Sequence, residues 1–123
     1  MEIIDFANDY RFVGPAEQAL ASAGGAVGYW DCYMMHVVHP FGGVPVLQTW
    51  AALETLRRDG LARSRGLSNV APQQLREILA GGTVRPTVVE QEVHPYNQEG
   101  ALLALCAAEG IAHVVRRRLG PRA

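Results

Sequence analysis

Short apolar runs rich in β-formers alternate along the chain with longer stretches in which apolar residues recur every three or four positions. That order predicts βα units around a parallel sheet, whose strands are covered on both faces and therefore read as continuous apolar runs. The runs Glu2–Phe6, Asp31–Met35, Leu61–Leu67, Thr87–Gln91 and Ile111–Val115 are the predicted strands. Between the first two, a weak helical stretch spans Pro15–Ala23 and ends at Gly24-Gly25. From Val46 to Asp59, Leu47, Trp50, Leu53 and Leu56 recur at steps of three opposite Gln48, Glu54, Arg57 and Arg58, an amphipathic helix that Gly60 stops. Pro72 suits the first turn of a third helix with Leu75, Ile78 and Leu79 on its inner face. A fourth runs from about Gln98 to Glu109, burying Leu102, Leu105 and Cys106. Five strands and four helices in βα order give an α/β fold.

Composition narrows the class. The chain has 123 residues, 49% of them hydrophobic, room for one domain with a real core and no second. Basic and acidic residues are mixed and the formal net charge is −1, which gives no electrostatic case for nucleic acid or an acidic membrane surface. No apolar run approaches the roughly 20 residues that cross a bilayer, and the opening Met1-Glu2-Ile3-Ile4-Asp5 lacks the plan of a secretory signal. Cys32 and Cys106 fall in a strand and on an apolar helix face with no pairing motif between them, so both are expected as reduced core thiols of a cytoplasmic protein. All 11 basic residues other than histidine are arginines; the sequence has no lysine.

In parallel α/β proteins the chemistry gathers at the carboxyl ends of the strands. The polar residues there are Asp5 and Tyr10, His36, Ser68-Asn69, and Glu90 to His94. His36 and His39 form an H-x-x-H, but no acidic or thiolate ligand joins them and no metal is expected. His94 reads as a structural histidine in a turn, Arg116-Arg117-Arg118 as a solvated cluster, and Trp30 and Trp50 as core or interface residues.

These positions fall into motifs. Asp31-Cys32-Tyr33-Met34-Met35-His36 is a D-x-Y-x-x-H strand, and Gly60 to Asn69 spells G-x-x-R-x-x-G-x-S-N. Glu92-x-His94-Pro95-Tyr96 follows, then Gly110-Ile111 with Leu119-Gly120, while Asp5-x-Ala7-x-x-Tyr10 precedes them all. In this order and spacing the chain resembles the aldo-keto reductases, whose fold is a (β/α)8 barrel and whose members reduce carbonyl compounds with NADPH and without a metal. The resemblance implies a small-molecule carbonyl substrate, Tyr10 as proton donor, Asp5 in its charge network, His36 orienting the carbonyl, and Ser68 and Asn69 holding the nicotinamide carboxamide. Glu90 stands where the family has a glutamine for that same amide, and Arg116 aligns with the tyrosine that stacks on the ring.

A phenol with a pKa near 10 needs a nearby cation to act as an acid at neutral pH, and the family's cation is a lysine. Between Leu20 and Asp31 only ten residues stand where the unit carrying that lysine belongs. A closed barrel takes about eight strands and usually more than roughly 200 residues. The expectation is thus a single truncated domain over residues 1–123: a partial (β/α)8 TIM-type barrel of about five parallel strands, not closed, with weak NADP(H) binding and weak or no activity. Its two sheet edges invite a homodimer. A non-catalytic interaction or regulatory protein on the same scaffold is the alternative.

Overall fold

The computed structural model describes residues 28–40 and 43–116, together with the backbone of residues 3–6. Five strands form one sheet in the order of the sequence: β1 (Ile3–Phe6), β2 (Trp30–Met35), β3 (Ala62–Ser68), β4 (Val88–Glu92) and β5 (Ala112–Arg116). Every neighbouring pair is parallel. The helices α1 (Val46–Arg58), α2 (Pro72–Gly81) and α3 (Gly100–Glu109) connect β2 to β3, β3 to β4 and β4 to β5. The helix expected at Pro15–Ala23 lies outside the described residues.

Helix α1 forms for the reasons its pattern gives. Trp50, Leu53 and Leu56 are buried at steps of three, and Arg57 and Arg58 sit in the last turn, where positive charge complements the carbonyl end of the helix dipole. Gly60 at φ 77° then takes a left-handed turn that a side chain would strain. The Trp50 indole donates to the Val84 carbonyl at 3.0 Å, and Glu54 accepts from Thr83 Oγ1 and the Val84 amide. Leu47 departs from expectation: it is 41% exposed, with its methyl groups beside Gly81 at the end of α2. In α2, Pro72 occupies the first turn and the Gln74 side chain reaches back to accept from the Ala71 amide at 2.8 Å while donating to the Val38 carbonyl at 2.6 Å. The third helix starts at Gly100 rather than about Gln98, since Glu99 takes a left-handed φ of 45°.

The core lies between the helices and one face of the sheet. Tyr33, Met35, Leu67 and Val89 point to it and meet Trp50, Leu53, Leu56, Leu75, Ile78, Leu102 and Cys106. Cys32 and Cys106 are both buried and free. Alternation along the strands puts Cys32, Met34, Ser64, Gly66, Ser68 and Glu90 on the opposite face, a division the register keeps across strands: Met34 pairs with Gly66, Gly66 with Val88, and Ser68 with Glu90.

Candidate active site at the carboxyl edge of the sheet

Parallel strands bring their carboxyl ends to one edge, and the polar residues foreseen there converge on it. Asp5 is the penultimate residue of β1, in register with Met34 of β2. His36 directly follows β2, Ser68 ends β3, Asn69 follows it, and Glu90 lies in β4. Tyr10 lies outside the described residues.

Asn69 is the hub of the site. Its backbone is left-handed, φ 52°, a conformation asparagine tolerates better than most residues. Its amide N–H donates to the Glu90 carbonyl at 3.2 Å. Its side-chain Nδ2 donates to the His36 carbonyl at 2.7 Å and to Ser68 Oγ at 3.3 Å. One side chain thereby ties the ends of β2 and β3 together, with Ser68 fully buried beneath it.

Arg116, at the end of β5, joins this network rather than standing in solvent. Its Nη2 donates to Asn69 Oδ1 at 2.7 Å, and its Nη1 lies 3.6 Å from Glu90 Oε1. The expectation of a solvated arginine cluster therefore fails for Arg116, because two acceptors on β4 and after β3 draw the guanidinium over the sheet edge.

Gln91 was not foreseen either. Its Oε1 accepts from the Val70 amide at 3.1 Å and fixes the entry to α2. No motif signals that role, since the contact spans 21 residues. The Glu92–Asn97 segment is a turn: the His94 and Asn97 backbones exchange hydrogen bonds, His94 Nδ1 accepts from the Tyr96 amide at 3.2 Å, and His94 Nε2 lies 3.3 Å from Glu92 Oε1. His94 thus serves the turn. Tyr33 is no candidate acid: it lies on the helix-facing side, and burial pushes its phenol up to about 12. Among the described residues no group of three or more His, Cys, Asp or Glu is placed to hold a metal ion.

A parallel sheet of βα units with an amide, a hydroxyl and a carboxylate gathered at its carboxyl edge has the arrangement of a segment of a (β/α)8 barrel. The chain belongs to the aldo/keto reductase family, whose model matches residues 26–121. The match starts after Asp5 and Tyr10. Among curated relatives, the NAD(P)H-dependent D-xylose reductase of Scheffersomyces stipitis is 40% identical over 79 residues, 64% of this chain and 25% of that protein. Aldo-keto reductase family 1 member A1 of Pongo abelii is 37% identical over 109 aligned positions, 75% of this chain and 34% of the relative. Among solved structures, a Bombyx mori aldo-keto reductase in complex with NADP aligns with TM-score 0.80 and 28% identity over 92% of this chain and 39% of that one. A Brucella melitensis aldo/keto reductase shares the fold at TM-score 0.85 and 24% identity, over 97% of this chain and 46% of that one. The chain spans about a quarter to a third of the length of these curated relatives.

Proposed function

We propose that the chain carries a carbonyl-reducing site of the aldo-keto reductase kind in attenuated form, taking a small aldehyde or ketone as substrate and binding NADPH weakly. NADPH, when bound, supplies the hydride. In this reading Tyr10 gives the proton to the substrate oxygen, Asp5 belongs to its charge network, His36 orients the carbonyl, and Ser68, Asn69 and Glu90 face the nicotinamide carboxamide. The observation that carries the reading is the single hydrogen-bonded cluster that the His36 carbonyl, Ser68, Asn69 and the Glu90 carbonyl make at the sheet edge. Two buried free thiols support a reducing, cytoplasmic setting.

Two features support attenuation. A phenol is a poor proton donor at neutral pH without a neighbouring cation, and the 123 residues contain no lysine to supply an ammonium group. The second concerns the amide site. Asn69 Oδ1 and the Glu90 carboxylate, the acceptors that would face the N–H2 of a carboxamide, are both engaged by Arg116. In this arrangement a carboxamide must compete with the guanidinium for them. The same features favour a second reading, a non-catalytic interaction or regulatory protein built on the family's scaffold.

Titration of the purified chain with NADPH, followed by cofactor fluorescence and by reduction of a generic aldehyde, separates the two. Weak saturable binding with slow turnover that Tyr10→Phe abolishes is the expected result. Folded protein that neither binds nor turns over establishes the second reading, and tight binding with fast turnover overturns the attenuation.

A further inference from the structure

The contacts of Arg116 differ in kind. Its 2.7 Å approach to Asn69 Oδ1 is a short charge-assisted hydrogen bond. The 3.6 Å separation from Glu90 Oε1 is too long for a hydrogen bond and acts as attraction between charges. Neither residue is freely solvated, with side-chain exposures of 37% for Arg116 and 18% for Glu90. Solvent still reaches the guanidinium and screens the ion pair, so the short bond to Asn69 is the stronger of the two contacts. Asn69 is held from the far side as well, by the His36 carbonyl, Ser68 and its own left-handed backbone. Its amide group has no freedom to swing Oδ1 away from the guanidinium without breaking those bonds.

We propose that Arg116 is a built-in occupant of the amide subsite and sets the chain's affinity for its cofactor; this rests on the reading of Ser68, Asn69 and Glu90 as the nicotinamide end of the site. A carboxamide presents N–H2 donors that need acceptors; of the two here, Asn69 Oδ1 already accepts from a guanidinium N–H, and the Glu90 carboxylate faces the same cation at 3.6 Å. An incoming nicotinamide must first displace Arg116, and the work of that displacement is subtracted from its binding. Glu90 completes the device, because a carboxylate at that position holds the guanidinium where a neutral amide would hold it less firmly. Arg116 is a positioning residue here. It touches no reacting atom.

The test uses the full chain as wild type, Arg116→Leu, Arg116→Lys and the double variant Arg116→Leu with Glu90→Gln. Each is titrated with NADPH by fluorescence and, by calorimetry, with 2′-phospho-ADP-ribose, which has the adenine half of the cofactor but no nicotinamide. Arg116→Leu and the double variant are expected to bind NADPH at least about tenfold more tightly, the factor at the low end for one charge-assisted hydrogen bond, with affinity for 2′-phospho-ADP-ribose unchanged. Arg116→Lys, a point charge that cannot fork between two acceptors, falls in between. It also carries the comparison if Arg116→Leu does not fold. Measurable but equal NADPH affinity in all four overturns the proposal and leaves the cofactor reading standing. An equal gain for both ligands overturns it too, since that marks a change in overall charge or folding. Failure of every folded variant to bind NADPH overturns the cofactor reading itself, and the proposal with it.

Discussion

A guanidinium lies buried inside the helix-facing layer, where an unpartnered charge is costly. Arg65 is 1% exposed; its Nη2 makes one long hydrogen bond, 3.4 Å, to the Arg85 carbonyl, and its Nε and Nη1 have no partner there. Burial and the nearby Arg57 both hold its pKa below the ordinary guanidinium value, with Glu54 opposing. Replacing an under-satisfied buried charge with an apolar chain of similar length tends to stabilise. Arg65→Met is expected to raise the unfolding free energy by about 1 kcal/mol, read as a melting temperature a few degrees higher. His113 acts in the same direction through pH. Its Nε2 is buried without a partner, and burial lowers its pKa from 6.5 against a smaller upward pull from Glu99. The native imidazole stays neutral where the unfolded one takes up a proton, so its stabilising share is complete above about pH 6.5 and declines as pH falls through that value. His113→Val is expected to lose less melting temperature than wild type between about pH 7.5 and about pH 5.5. Residues of this kind are hard to read from sequence, since what matters about Arg65 and His113 is which distant groups fail to meet them. Ser68 and Asn69 were legible because both motif and position at a strand end pointed to them. The engagement of Arg116 with Asn69 was not, because it joins residues 47 apart in a run that reads as solvated.

Elements were legible wherever a period and a stop signal agreed. α1 spans Val46–Arg58 against the expected Val46 to Asp59, stopped by Gly60, and α2 begins at the expected Pro72. β3 is the less obvious strand, since Arg63, Ser64 and Arg65 interrupt its apolar run, yet it pairs on both sides and so takes its conformation from β2 and β4. Gly66 sits at its middle for a packing reason. A Cβ there would meet Val88 Cγ1 at 2.6 Å, the Val88 carbonyl oxygen at 2.9 Å and Met34 Cγ at 3.0 Å. One of those neighbours is backbone and cannot turn aside, so the strands themselves must separate. Gly66→Ala is expected to lower stability by about 1–3 kcal/mol despite alanine's smaller backbone entropy loss, measured by urea denaturation. Because Ser68 lies two residues further on the same face, the variant should also shift its environment. The start of α3 was misplaced because a left-handed Glu99 is not a residue that advertises such a turn.

At the scale of the whole molecule, βα order makes the parallel sheet and its sequential strand order legible, while the length of the chain says nothing about what its edges do. Among the described residues β1 and β5 each pair with one strand only, so each offers a row of backbone donors and acceptors on its outer side. Such an edge is a template for a second copy, and a homodimer through it is the expected state. The geometry of β5 allows a clean test. The Ala112 amide donates to the Thr87 carbonyl and the Arg116 carbonyl accepts from Val93, so residues 112, 114 and 116 face β4 while the amides of His113 and Val115 point outward. Proline at position 115 removes an outward donor and leaves the ladder to β4 intact, and proline is tolerated on edge strands for that reason. Val115→Pro is expected to convert a dimer to a monomer in sedimentation equilibrium while far-ultraviolet circular dichroism stays near that of wild type. A wild-type chain that sediments as a monomer throughout, or a dimer indifferent to the proline, would show that β5 is not the surface on which two copies meet.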